Sequence, residues 1–236
     1  MKKMDGLDQQ SKNDHSELRK KIFLRVILVI LIMAAMFFLP AGTWKFWQAW
    51  AFMAILLVPM CFVVLYFLKK DPELLERRMR MKEKEPEQKT IITLSYPLFL
   101  AAFLLPGFDK RFGWSAVPPW LVIAADIIVL AAYGLVFRVM QENRYLSRVV
   151  EVDQKQKVIS TGPYAVVRHP MYAAVIPMYF LSPLALGSFW ALIPAAFVPL
   201  TIIARIFNEE KVLGHDLEGY TEYTRKVKYR LIPWIW

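Results

Sequence analysis

Long uninterrupted apolar runs constrain this chain more than any other feature of its sequence. A bilayer offers no water to the backbone, so a spanning segment must satisfy its own N–H and C=O groups, as a helix does. With 57% hydrophobic residues, the chain of 236 residues is too apolar for an ordinary soluble domain. The sequence predicts an all-α integral membrane protein with about five to six transmembrane helices, over residues 22–39, 46–68, 91–105, 120–140, 171–186 and 189–206.

The last two apolar segments differ from the others because they are short and interrupted by prolines. Each carries two prolines, and Gly187-Ser188 joins them. Because proline removes a helical hydrogen bond, the pair predicts a broken or re-entrant hairpin. Beyond the hairpin, apolar residues at helical spacing predict a C-terminal amphipathic helix that lies on the membrane: Leu217, Tyr220, Tyr223 and Val227.

Basic residues predict the orientation of these helices. Lysine and arginine are frequent in the N-terminal tail, in loops 69–89 and 141–170 and in the C-terminal tail, and scarce in loops 40–45 and 106–119. Six crossings with both termini in the cytoplasm satisfy the positive-inside rule at every loop. Membrane topology and contacts with anionic lipid headgroups then explain the net charge of +10 better than binding to nucleic acid does. In a bacterium, this membrane would be the inner membrane.

The predicted topology divides the chain into three regions. Residues 1–21 form a cytoplasmic tail, and residues 22–140 hold helices one to four with a charged cytoplasmic loop at 69–89. Residues 141–236 form the core that contains the candidate site residues. The sequence has no Rossmann glycine motif, Walker loop or His-Glu-x-x-His, and its three distant histidines do not suggest a metal site. The single cysteine excludes an intramolecular disulfide.

The stretch from Ser160 to Tyr172 combines a Gly-Pro turn with a charged pair at a predicted helix start. His169 stands before Pro170, which favours an extended residue followed by the first turn of a helix. A helix N-terminus presents free N–H groups that suit an anion. The plainer alternative is that Arg168 and His169 cap the helix and contact lipid headgroups.

A second charged group lies at the end of the last apolar segment. Arg205 and Glu209 are four residues apart and share a helix face. Arg205 lies near the apolar boundary, where an unpaired charge is costly, so we expect it to have a partner. A simple helix salt bridge is the alternative. The two charged groups fall on the same predicted side of one hairpin, which favours a shared site.

Together these residues form one pattern: Gly162-Pro-Tyr-x-x-x-Arg168-His169-Pro170-x-Tyr172, then Arg205-x-x-x-Glu209-Glu210-x-x-Leu213, then Tyr220-x-x-Tyr223. This pattern resembles the isoprenylcysteine carboxyl methyltransferase family, and membrane phospholipid N-methyltransferases share it. The resemblance covers about residues 141–236.

The resemblance implies an integral membrane enzyme that uses S-adenosylmethionine without a Rossmann domain. It implies that Arg205 is catalytic and binds the methyl acceptor, while Glu210 is the natural base candidate for an amine acceptor. The family's more usual histidine before the turn is Gln156 here. The implied cofactor-binding residues are Gln156, Lys157, Val158, Ile159, Tyr164, His169, Pro170, Met171, Tyr172 and Glu209.

The predicted function is therefore S-adenosylmethionine-dependent methylation of a lipidic or membrane-embedded acceptor, with carboxyl O-methylation of the isoprenylcysteine type favoured. The expected partners are the cofactor, membrane lipids and a lipidic or lipidated acceptor that enters between segments four and six. Three alternatives stay open: a phospholipid amine N-methyltransferase, a sterol-type NADPH-dependent membrane reductase, and a non-catalytic transporter or scaffold. The reductase family usually has Arg-His-x-Asn-Tyr where this chain has Arg-His-Pro-Met-Tyr.

Overall fold

The structure, a computed structural model, describes residues 2–80, 83, 85–153 and 156–236, with side chains from residue 16 onwards. Its regular elements are helices: α1 Lys2–Ala41, α2 Trp47–Lys70, α3 Pro72–Met79, α4 Pro86–Phe112, α5 Pro119–Glu142, α6 Pro170–Ala185, α7 Leu192–Ala195, α8 Val198–Asp216 and α9 Tyr220–Lys226. A 3-10 turn, Gly162–Ala165, lies between α5 and α6. The described residues include no strand.

Among the described residues, five helical stretches are long and apolar enough to span a membrane: Ser16–Ala41, Trp47–Lys70, Pro86–Phe112, Pro119–Glu142 and Leu192–Asp216. A sixth apolar helix, α6, has only 16 residues. These helices confirm the prediction of an all-α membrane fold with about five to six transmembrane helices. The cytoplasmic location of both termini stays a prediction.

The first helix begins earlier than the sequence predicted. α1 starts at Lys2, inside the region 1–21 that was expected to form a tail, and its membrane-length part starts at Ser16. Leu18 and Ile22 are buried in a cluster with residues of α2 and α5. Because these contacts extend the packed face of α1 towards its N-terminus, the helix continues past the point where the apolar run begins.

A short helix, α3, follows α2 within the charged loop at 69–89. The Asp71 carboxylate accepts a hydrogen bond from the backbone N–H of Leu74 at 3.2 Å, and Pro72 occupies the first helical position. Leu74 and Leu75 are buried, which fixes α3 against the body of the protein. Residues 81, 82 and 84 of this loop lie outside the described residues.

Two close contacts fix α4 at the end that lies opposite the site described below. A Cβ atom on Gly107 would lie 2.8 Å from the backbone oxygen of Phe37, so the approach of α1 to α4 requires glycine. The buried Asp109 carboxylate accepts hydrogen bonds from the hydroxyls of Ser115 and Ser188. These bonds join the end of α4 to the turn after α6.

The proline-interrupted hairpin consists of α6 on one arm and of α7 and α8 on the other. Its turn contains Gly187 with a φ of 76°, a conformation that favours glycine. The second arm is interrupted between α7 and α8, and α8 then continues to Asp216. Segment six was expected to end at residue 206, so Arg205 and Glu209 lie within a continuous helix and not at its end.

The predicted C-terminal amphipathic helix is α9. Its apolar face, flanked by Leu217 and Val227, is buried by other parts of the chain. The prediction that this face lies on the membrane is wrong, because the protein itself covers it. The residues that cover it are Val152, Val158 and Leu213.

Candidate active site

The start of α6, the α8 helix and the loop before the 3-10 turn surround a cavity of about 680 Å³. Every residue that the resemblance assigned to the cofactor lies in its wall, as does Arg205. Glu210 differs from the other predicted site residues because it is not part of this wall. The wall therefore includes Gln156, Lys157, Val158, Ile159, Tyr164, Arg205, Glu209 and the run His169, Pro170, Met171 and Tyr172.

The Gly-Pro turn packs tightly against the end of α5. Gly162 has a φ of 56°, and a Cβ atom there would lie 2.7 Å from the Glu142 carboxylate. The positive φ favours glycine at this position. The turn brings in Tyr164, whose hydroxyl accepts a hydrogen bond from the Asn143 amide at 3.0 Å and whose backbone oxygen accepts one from the Tyr223 hydroxyl at 2.8 Å. Burial raises the pKa of Tyr164 above its usual value, so the phenol stays neutral.

The C-terminal segment holds the Arg168-His169 pair in place. The sequence predicted an extended pair, but His169 has φ −122° and ψ 60°, outside the extended region. The backbone N–H of Arg168 donates to the oxygen of Tyr229, and that of His169 donates to the oxygen of Arg230, both at 2.9 Å. Both charged side chains are buried. This two-bond ladder orients the pair before α6 begins at Pro170.

Glu210 binds three cationic or potentially cationic groups behind the cavity wall. Its Oε1 accepts from Arg168 Nε at 2.8 Å and lies 3.2 Å from His169 Nε2, while its Oε2 accepts from Arg230 Nε at 2.8 Å. Guanidinium donors stabilise the carboxylate form and make it a poor proton acceptor. The sequence suggested Glu210 as a base candidate, and in the structure donors occupy both of its oxygens.

Arg205 and Glu209 are joined through a tyrosine and not by a direct salt bridge. Arg205 Nε donates to the Tyr172 hydroxyl at 2.8 Å, and that hydroxyl donates to Glu209 Oε2 at 2.6 Å. Arg205 Nη2 also donates to the backbone oxygen of Arg148 at 2.6 Å and lies 3.9 Å from the Glu83 carboxylate. The relay Arg205–Tyr172–Glu209 thus links one helix turn of α8 to the start of α6.

The cavity has a charged end beside α9 and an apolar lobe between α4, α6 and α8. Tyr96 lies in the wall of the lobe and is 61% exposed, so it forms part of the rim. The wall contains no residue of Pro119–Glu142, all of which the structure describes. The apolar approach therefore lies between α4 and α8, not between α5 and α8 as predicted. The lobe residues are Ile91, Ile92, Tyr96, Phe99, Val175, Tyr179 and Ile202.

Sequence reasoning missed several wall residues that come from the two charged loops. They are surrounded in the sequence by similar charges, so no spacing distinguished them from solvated residues. The density of arginine was the available signal, but it did not say which side chain points inward. The missed residues are Arg78, Glu83, Asn143 and Arg148.

The helices and this cavity define a multi-pass membrane protein whose site joins a charged end to an apolar lobe. Residues 120–216 match the profile of the phospholipid methyltransferase family. The matched range holds both charged groups from Ser160–Tyr172 and Arg205–Glu210. The match confirms the resemblance drawn from the motifs for this part of the chain.

Among solved structures, the eukaryotic intramembrane Ras methyltransferase ICMT, an isoprenylcysteine carboxyl methyltransferase, is similar to this chain. The similarity has a TM-score of 0.47 and 14% sequence identity, and it covers 92% of this chain and 85% of that chain. A search of curated proteins gives no match. The similarity to membrane methyltransferases therefore rests on the family match over residues 120–216.

Proposed function

We propose that this protein transfers a methyl group from S-adenosylmethionine to the carboxylate of a lipidic acceptor of the isoprenylcysteine type. The observation that carries the proposal is the position of the Arg205–Tyr172–Glu209 relay, with all three residues in the wall of the cavity. A water-soluble donor and an apolar acceptor need a compartment of this kind, because the reaction requires them to be aligned and shielded from water.

The residues present fit S-adenosylmethionine. The cavity volume lies within the roughly 300–1,000 Å³ typical of small-molecule sites. Its wall contains the Tyr220 hydroxyl, which is buried without a hydrogen-bond partner in the described part of the chain. When bound, the cofactor supplies an electrophilic methyl group on a sulfonium.

The chain's own groups would hold that cofactor at three points. Glu209, oriented by the Tyr172 hydroxyl, binds an ammonium group through its carboxylate. The first turn of α6 offers backbone N–H groups to a carboxylate. Tyr220, whose pKa is raised by burial, stays a neutral donor for a polar atom of the ligand. Glu210 keeps the His169 ring in place from behind the wall.

The charged end favours a carboxylate acceptor. A carboxylate nucleophile is already deprotonated at neutral pH, whereas an ammonium group must first lose a proton to a base. Glu210 does not suit that task, because its two oxygens are occupied by Arg168, His169 and Arg230. Arg205 offers a planar fork to the acceptor, and its position towards the apolar lobe agrees with a lipid tail lying there.

Phospholipid amine N-methylation is the second candidate, and the description of the matched family favours it. A zwitterionic phospholipid would also bring an anionic group to the cationic wall. It would require a different proton acceptor, since Glu210 is engaged. The chemical stability of the methylated product separates the two candidates.

The test uses the full chain in lipid nanodiscs with radiolabelled S-adenosylmethionine. The acceptors are N-acetyl-S-farnesylcysteine and phosphatidylethanolamine. A carboxyl ester releases its methyl group as methanol in alkali, whereas an N-methyl group is retained. We expect alkali-labile label on the farnesylated acid. Alkali-stable label on the phospholipid alone would favour the second candidate, and no transfer to either acceptor would contradict both.

Substitutions of Arg205 test whether this residue serves the acceptor and not the cofactor. Arg205→Ala should abolish methyl transfer but leave the affinity for S-adenosylhomocysteine within about threefold of wild type, a change of less than 1 kcal/mol. Arg205→Lys should rescue poorly, because an ammonium lacks the two-pronged fork. Calorimetric titration with S-adenosylhomocysteine and with NADPH also tests the reductase alternative, since NADPH binding alone would support that class. Loss of cofactor affinity in Arg205→Ala would contradict the separation of roles.

A further inference from the structure

Three arginines of the α3 region differ in their pairing. Arg77 Nη2 lies 3.4 Å from Asp153 and 3.7 Å from Glu73, and Arg80 pairs with Glu151. Neither Arg77 nor Arg80 is in the cavity wall. The two arginines outside the wall are therefore neutralised by carboxylates.

Arg78, in contrast, belongs to the cavity wall. Its hydrogen bond in the described part of the chain is a long one, 3.4 Å from Nη1 to the backbone oxygen of Ser147. No carboxylate among the described residues pairs with it. A guanidinium taken out of water without a counter-ion is destabilising, so its environment suits a bound anion. Burial lowers the pKa of Arg78 from its usual value, but an arginine remains protonated.

The residues near Arg78 indicate where along α6 a bound anion would lie. The guanidinium lies within electrostatic range of the hydroxyls of Tyr172 and Tyr179, which are seven residues apart and therefore on one face of α6. Arg148 and Arg205 act on the Tyr179 hydroxyl as well. Arg78, Arg148 and Arg205 all line the cavity, so an anion bound near this stretch of α6 could contact more than one guanidinium group.

This stretch lies on the acceptor side of the cavity. The ring of Tyr179 packs against Phe99 of α4 with 4.7 Å between centroids, and both residues line the apolar lobe. Tyr179 is about 10 Å further along α6 than Tyr172, at 1.5 Å per residue. The proposed cofactor contacts are at Glu209 and at the first turn of α6, on the other side of Tyr172. An anion beside Arg78 would therefore belong to the head of a molecule whose tail fills the lobe.

We infer that Arg78 binds the oxyanion of the acceptor, as a second guanidinium beside Arg205. The inference rests on the proposed function and specifies its substrate as a lipid with an anionic group at the boundary between the apolar lobe and the charged end. The oxyanion is the carboxylate in a prenylcysteine acceptor, or the phosphate in a phospholipid acceptor. Arg78 is a binding residue that decides which acceptors enter, and it takes no proton.

The first experiment measures ligand-induced thermal stabilisation of the full chain and therefore needs no turnover. The probes are N-acetyl-S-farnesylcysteine, its uncharged methyl ester and lysophosphatidylethanolamine. We expect the free acid to stabilise wild type more than the ester does. This difference should shrink in Arg78→Gln, where Arg205 alone is left, recover in part in Arg78→Lys, and keep its full size in Arg80→Gln, which removes the same charge from outside the wall.

Kinetics supply the second readout. Arg78→Gln should raise the KM for the farnesylated acid at least about tenfold while the Kd for S-adenosylhomocysteine stays within about threefold of wild type. If the loss of cofactor affinity equals the loss of acceptor affinity, Arg78 serves the cofactor and the inference is wrong. Equal stabilisation of wild type by acid and ester, with no response to the phospholipid, also overturns it.

The two proposals fail separately. A response to lysophosphatidylethanolamine alone, lost in Arg78→Gln, would support the oxyanion role of Arg78, identify phosphate as its source and contradict the carboxylate acceptor. Absence of methyl transfer from wild type to either acceptor would contradict the proposed function, while the acid-minus-ester difference would still decide the role of Arg78.

Discussion

Replacing Glu210 by glutamine tests whether this residue positions the site or acts as a base. The amide has nearly the shape of the carboxylate, so the change removes charge without creating a cavity. One amide oxygen can accept from only part of the set formed by Arg168, His169 and Arg230, and the amide N–H₂ then faces a guanidinium donor. We expect the folded chain to lose stability.

The magnitude follows from the burial of the partners. The side chains of Arg168 and Glu210 are 7% and 13% exposed, while Arg230 is 29% exposed and is partly compensated by water. Removing one partner of a buried ion pair costs about 3–5 kcal/mol, and the lower end applies here because of Arg230. About 3 kcal/mol corresponds to a fall in melting temperature of roughly 6–12 °C for a chain of this size.

The assay is thermal unfolding in nanodiscs together with titration of S-adenosylhomocysteine. Since Glu210 holds the His169 ring in the cavity wall, the affinity of Glu210→Gln should fall about tenfold, or 1.4 kcal/mol. The control is Glu222→Gln, which removes the same charge from an exposed position on α9 and should change stability by no more than about 0.5 kcal/mol. A Glu210→Gln protein with wild-type stability and cofactor affinity but no turnover of an amine acceptor would refute the positioning role.

Three further predictions concern other parts of the molecule. Tyr172→Phe removes the hydroxyl between the guanidinium and the carboxylate of α8, so the rate constant for methyl transfer should fall at least about tenfold; an unchanged single-turnover rate would contradict the relay. In a Cys61→Ala background, membrane-impermeant labelling of Ser160→Cys and Lys110→Cys should occur from opposite sides, and labelling from one side would contradict the topology. Burial raises the pKa of Tyr223 from 10.0 to about 12, so its stabilising contribution is complete below pH 10 and lost as the pH rises towards 12; the alkaline fall in melting temperature should be smaller in Tyr223→Phe, and equal falls would show that another group is responsible.

The sequence predicted the helical membrane fold because a bilayer leaves the backbone few alternatives. It also predicted the turn at Gly162 and the helix start at Pro170, since glycine permits a positive φ and proline suits the first turn of a helix. The family resemblance named the cofactor-side residues, and the structure brings them into one wall. The membrane fold depends on the solvent, the turns depend on local stereochemistry, and the cofactor-side residues belong to a motif that is visible in the sequence itself.

Other features needed the tertiary structure because they depend on which distant groups meet. Apolar composition cannot tell a face covered by lipid from one covered by protein, so α9 was assigned to the wrong surroundings. The spacing of Arg205 and Glu209 left a direct salt bridge open as one alternative, but a tyrosine 33 residues before Arg205 lies between them. Glu210 contacts Arg168, His169 and Arg230 from other segments, whereas no carboxylate among the described residues pairs with Arg78. The strength of an electrostatic interaction is set by distance and burial, and both are decided only when the helices pack.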